Sequence, residues 1–115
     1  MKIVITGACA VSARNVLRSL KMSKIFKDAT FIGWDMCSIM YGAYSKDFDR
    51  LYKVPGVKDP CYPKVIQEIL DKEKPDVVVL AAAKGGGINA NNTTPAEFAY
   101  ENMQIQCNVI NASHV

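Results

Sequence analysis

The feature that most narrows the folds open to this chain is a pair of uninterrupted apolar runs, "KIVIT" at residues 2–6 and "VVVLAAA" at 77–83. A strand with one wet face alternates apolar and polar side chains. These runs do not alternate, so each reads as a strand covered on both faces. Strands of that kind belong to parallel sheets, whose neighbours are reached through helical crossovers. Neither run approaches the ~20 apolar residues that span a bilayer.

The segments between them supply the crossovers. Val11, Val16, Leu17 and Leu20 recur at helical spacing, with Arg14, Arg18 and Lys21 toward the other side. "TFIGW" (30–34) reads as a second strand ending at Asp35, and "RLYKVP" (50–55) as a short third one stopped by Pro55-Gly56. Residues 36–50 have no clear period and read as loop with a helical turn. Asp59-Pro60 and Pro63 open a helix whose inner face is Val65, Ile66, Ile69 and Leu70, with Gln67, Glu68, Asp71 and Lys72 toward water. After the strand at 75–83 comes the loop "KGGGINANNT". "TPAE" (94–97) then starts a last helix, with Thr94 as N-cap, Pro95 at the first position and Glu97 completing a capping box. Phe98, Ile105, Val109 and Ala112 share one face of it.

This order of elements implies an α/β fold: a doubly wound parallel sheet of about four strands in the order 3-2-1-4, with helices on both faces in three layers. It is half-Rossmann-like, and residues 1–115 form a single nucleotide-binding-type domain. The order puts the strand at 75–83 on an edge, although its sequence is that of a buried strand. A second half-domain, a partner chain or the last helix is needed to cover it.

Composition excludes several functions. The net charge is +3 and the basic residues are scattered, so no stripe offers itself to nucleic acid. Cys9, Cys37, Cys61 and Cys107 include no CxxC and His114 is the sole histidine, so a zinc site lacks ligands. Reduced thiols, the absence of a signal-peptide pattern and the absence of a spanning segment point to a cytoplasmic protein without membrane contact. Cys107, in mid-helix, reads as a small buried hydrophobe.

The chemistry centres on "IVITGACAVSARNV" (3–16), where a strand runs through Gly7 into a helix. The dinucleotide fingerprint uses its first glycine for the tight turn, its second for close approach to the pyrophosphate and its third for helix–strand packing. Gly7 fills the first position, and Ala10 and Ala13 fill the others. Each alanine adds one methyl, so anion binding at the helix N-terminus is weakened rather than abolished, unless one of them needs positive φ. Packing of strand, turn and helix accounts for Gly7 equally well. Asp35, 28 residues after Gly7, stands where an acid bonds an adenosine ribose and repels a 2′-phosphate; capping of the next turn is the alternative.

From about Val78 onward, the run "GGGINANNTTPAEFAYENMQIQCNVINASH" resembles the GDP-L-fucose synthase family of extended short-chain dehydrogenase/reductases. The resemblance implies that Ala82, Ala83 and Lys84 border the nicotinamide side of a bound NAD or NADP. It implies that the following loop lines a sugar-nucleotide cleft and that the last helix takes part in dimer packing. Gly85 departs from the family, which usually has a larger residue there. The front of the chain, "ITGACAVSARNVLRSLKMSKIF" to "KPDVVV", resembles instead the domain preceding ATP-grasp modules in carbamoyl-phosphate-synthase-like ligases, which implies ATP as an alternative ligand. A mosaic of the two, and a divergent reductase, both fit.

The reductase family works through a Ser, a Tyr-x-x-x-Lys pair and acid–base Cys and His residues downstream of the point where this chain stops. No tyrosine here has lysine four residues on. The expectation is therefore the NAD(P)-binding front portion of a sugar-nucleotide reductase/epimerase, inactive alone and folding without cofactor. Gly7, Ala10 and Val11 would lie at the pyrophosphate and Asp35 at the ribose. A homo-oligomer or a second half-domain completes it. The alternative is an assembly module whose phosphate loop has lapsed.

Overall fold

Lys2–Thr6 forms β1, Thr30–Asp35 β2, Arg50–Lys53 β3 and Val77–Val79 β4 in a computed structural model that describes residues 1–36, 47–81 and 95–114. All pairings are parallel and the strand order is β3-β2-β1-β4. The helices are α1 (Val11–Met22), α2 (Tyr62–Glu73) and α3 (Pro95–His114). The turn residues at 37–46 and the Thr94 cap lie outside the described residues.

Because β1 and β2 are covered on both faces, their successive side chains enter two different cores. Ile3, Ile5 and Phe31 pack with Ala13 and Leu17 of α1 and with Phe48. Val4, Ile32 and Trp34 pack with Tyr62, Ile66, Ile69 and Leu70 of α2 and with Val109 and Ala112 of α3. The result is three layers, α1 on one face and α2 with α3 on the other. Full burial of a side chain such as Leu17 or Ile66 contributes roughly 1.5–3 kcal/mol.

Two residues depart from the periodicity. Val11 is 64% exposed, because the first helical position sits on the rim of the preceding turn, beyond the reach of the sheet. Cys107 is exposed rather than buried. It lies two residues from Val109, about 200° around the helix, so burying one turns the other to water.

β4 keeps the conflict between sequence and position. It pairs with β1 alone among the described residues, and Val77 is 40% and Leu80 36% exposed. Beside it runs a groove lined by Leu70, Lys74, Val78 and Ala112.

The other end of the sheet is fastened by charge. Glu73, the last residue of α2, is 3% exposed and accepts hydrogen bonds from Arg50 Nε at 2.6 Å, Arg50 Nη2 at 2.8 Å and Tyr52 Oη at 2.7 Å. Lys2 Nζ stands 3.5 Å from the same carboxylate. The Arg50 guanidinium, with help from Tyr52 and Lys2, lowers the Glu73 carboxyl from 4.5 to about 2. Lys74 then ends the helix in the left-handed region, at φ 48° and ψ 59°, its N–H bonded to Leu70 O.

Candidate nucleotide-binding site

β1 and β2 end side by side, with Thr6 paired to Trp34, so Gly7 and Asp35 leave the sheet at the same edge. Gly7 has φ 65° and is the one residue of this turn in the left-handed region. Ala10 is extended, at φ −80° and ψ 153°. Ala13 is helical and 0% exposed on the face that α1 turns to the sheet. Neither alanine occupies a conformation that L-residues resist, so the loss of two fingerprint glycines leaves the turn unstrained.

The turn's amides divide into two sets. Ala8 N–H donates to Trp34 O at 3.0 Å, Cys9 N–H to Asp35 Oδ2 at 2.8 Å and Ala10 N–H to Gly7 O at 2.9 Å. These three hold the turn to itself and to β2. Arg14 N–H donates to Ala10 O, which closes the first turn of α1. Val11, Ser12 and Ala13 therefore carry the N–H groups that have no carbonyl one turn back. Ala10, at the N-cap, is exposed and offers no side-chain bond to satisfy them. Val11 and Ser12 are exposed while Ala13 is buried, so with the positive end of the helix dipole behind them the amides of Val11 and Ser12 suit a phosphate.

Asp35 is 9% exposed, and its carboxylate fixes the height of the loop through Cys9. Thr6 is fully buried, and its Oγ1 accepts the Ala81 N–H at 3.0 Å, which draws the end of β4 against β1 beside the turn. Ala82, Ala83 and Lys84 come next and lie outside the described residues. Gly7, Ala10, Val11 and Asp35 are thus gathered at one edge. Thr6 and Gly33 belong to the same region and escaped the sequence reading. The signal for Gly33 was a lone glycine within a strand, which often marks a close backbone approach. Among the described residues no group of His, Cys, Asp or Glu could hold a metal ion.

A parallel sheet, a left-handed glycine, a helix start with unfilled amides and an acid at the end of the next strand together define a dinucleotide-type half-fold. The model of the NAD dependent epimerase/dehydratase family matches residues 3–115, and the chain belongs to that family. Among relatives, GDP-L-fucose synthase of Escherichia coli strain K12 is 51% identical over 51 residues, which are 44% of this chain and 16% of that protein. GDP-L-colitose synthase of Yersinia pseudotuberculosis is 34% identical over 113 residues, 98% of this chain and 29% of the relative. The chain thus spans less than a third of the length of these curated relatives. The structure of UDP-glucose 4-epimerase with UDP-glucose from Thermotoga maritima superposes with a TM-score of 0.69. It is 18% identical, covering 98% of this chain and 34% of that one, and shares the fold. The family match takes in the front segment as well, so the ligase resemblance gains no support from it. Among the described residues no helix is long and apolar enough to cross a membrane.

Proposed function

We propose that this chain is the dinucleotide-binding front portion of a cytoplasmic sugar-nucleotide reductase/epimerase similar to GDP-L-fucose synthase. The observation that carries this reading is the unfilled first turn of α1 beside Asp35. The amides of Val11 and Ser12, both on exposed residues, would hold the pyrophosphate, with Gly7 and Ala10 shaping the approach. Asp35 would receive the adenosine ribose and disfavour a 2′-phosphate, which makes NAD the preferred dinucleotide over NADP. Ala82, Ala83 and Lys84 would border the nicotinamide side. A bound nicotinamide supplies hydride chemistry; this chain binds and orients it. The acid–base groups of the reaction lie outside these 115 residues, so the chain alone should oxidise no NADH or NADPH with a 4-keto sugar nucleotide.

Self-association completes the reading. Tyr100, Met103 and Ile110 are each more than 60% exposed and, with the exposed Cys107, follow one another at helical spacing along α3. Such a stripe suits a homodimer, and a monomer by light scattering at high concentration would argue against it.

Thermal unfolding with NAD, NADP, ATP and GDP-mannose in parallel tests the ligand class. At about 1 mM, a ligand with a dissociation constant of ~10 μM adds about 2.7 kcal/mol, a shift of several degrees for a domain this small. A shift with a nicotinamide dinucleotide supports the proposal. A shift with ATP alone would transfer the chain to the ligase reading, and no shift would favour a lapsed loop.

A further inference from the structure

We propose that Gly33, in the middle of β2, is the positioning residue that sets the height of the turn at residues 7–10; this rests on the reading of that turn as a phosphate site. A Cβ on Gly33 would lie 2.7 Å from Ala8 Cβ, 2.8 Å from Leu51 Cδ2 and 2.9 Å from Phe48 Cε1. Phe48 Cε1 belongs to a ring packed in the same core, whereas Leu51 Cδ2 is the far end of a half-buried side chain that can swing aside. The methyl of Ala8 cannot, since it moves only with its backbone. Ala8 is 2% exposed, and its N–H is bonded to Trp34 O.

Gly33 is held in register between Ile5 of β1 and Leu51 of β3, so β2 cannot yield either. A methyl added at residue 33 therefore lifts residue 8. The displacement passes to Cys9, whose N–H must reach Asp35, and to Ala10, which starts the helix that offers the anion-facing amides. In a Gly-rich turn the close approach comes from glycines within the turn. In this chain part of it comes from beneath, because residue 8 carries a methyl that fits where residue 33 has none. The two positions share room for one methyl.

Amide hydrogen exchange and NADH titration on the full chain test this with four proteins: wild type, G33A, A8G/G33A and Ile69→Val. Ile69 packs in the core on the opposite face of the sheet and controls for simple loss of stability. In G33A, the Ala8 and Cys9 amides should exchange about tenfold faster relative to the amides of α2, and NADH should bind about tenfold more weakly. A8G/G33A should restore both, and Ile69→Val should change neither selectively. Wild-type protection of the turn in G33A would overturn the proposal. So would a double variant whose turn exchanges as fast as that of G33A. If G33A fails to fold, the double variant decides: protection of its turn like that of wild type supports the size pair, and loss of protection overturns it. If wild type binds neither NADH nor NADPH, the cofactor reading falls, while exchange in the turn still decides the role of Gly33.

Discussion

The N–H of Cys9 and the carboxylate of Asp35 meet at 2.8 Å, which joins the turn after β1 to the end of β2. The acid expected at an adenosine ribose is therefore also the acid that places the loop. On the proposed function, ligand recognition and loop position would be coupled through one side chain.

That coupling separates two substitutions at residue 35. Asp35→Asn keeps an oxygen for Cys9 while removing the charge that opposes a 2′-phosphate. It should leave stability nearly unchanged and raise affinity for NADP relative to NAD by roughly tenfold, about 1.4 kcal/mol. Asp35→Ala removes the acceptor as well and should cost about 1–2 kcal/mol in urea unfolding. Equal NAD/NADP ratios in wild type and Asp35→Asn would exclude the ribose role.

Ala10 leaves the first turn of α1 without a cap. Ala10→Asp should satisfy one of those amides from within and stabilise the apo protein by about 1 kcal/mol. The same carboxylate would occupy the phosphate position and repel the ligand. The expected pattern is a higher Tm without dinucleotide and a smaller shift with it. A dinucleotide shift as large as that of wild type would place the ligand elsewhere.

Acid sensitivity should trace to Glu73. Its folded pKa, about 2, lies below the ordinary 4.5, so the unfolded chain binds the proton more readily. The contribution is fully present above pH 4.5 and is lost as pH falls toward 2. With Arg50 43% exposed, solvent screening reduces what the pair contributes. Glu73→Gln should lower stability at pH 7 and flatten its decline between pH 4.5 and 2.5. Parallel urea titrations across that range check it.

Lys74 adopts the left-handed conformation that glycine takes most easily. Lys74→Gly should stabilise the chain by about 0.5–1 kcal/mol, the relief of a strained φ exceeding the added freedom of the unfolded state. A lower urea midpoint would show that the lysine side chain contributes something the backbone geometry does not explain.

The parts legible in the sequence were those written in local pattern. Ile3, Val4 and Ile5 announced a strand buried on both faces, and the spacing of Ile66, Ile69 and Leu70 announced α2. The crossover rule then gave the strand order. The placement of Gly7 and Asp35 was legible because both close apolar strands that end side by side in this fold. The remainder depends on pairs far apart in the chain. Thr6 meets Ala81, Gly33 meets Ala8 and Arg50 meets Glu73 only once the sheet has formed. Which amides stay open was likewise hidden, since it follows from how Ala8, Cys9 and Ala10 turn. Whether Ala10 tolerated its place could be posed from sequence and answered only by its φ.

The central claim is that a nicotinamide dinucleotide rests its pyrophosphate on the first turn of α1. Titrating the ¹⁵N-labelled chain with NADH while following amide chemical shifts tests it most directly. The expected result is a saturable shift concentrated at Val11 and Ser12, with Cys9 moving as Asp35 engages the ribose. Saturating NADH that leaves those amides in place, or moves a cluster elsewhere on the sheet, would contradict it.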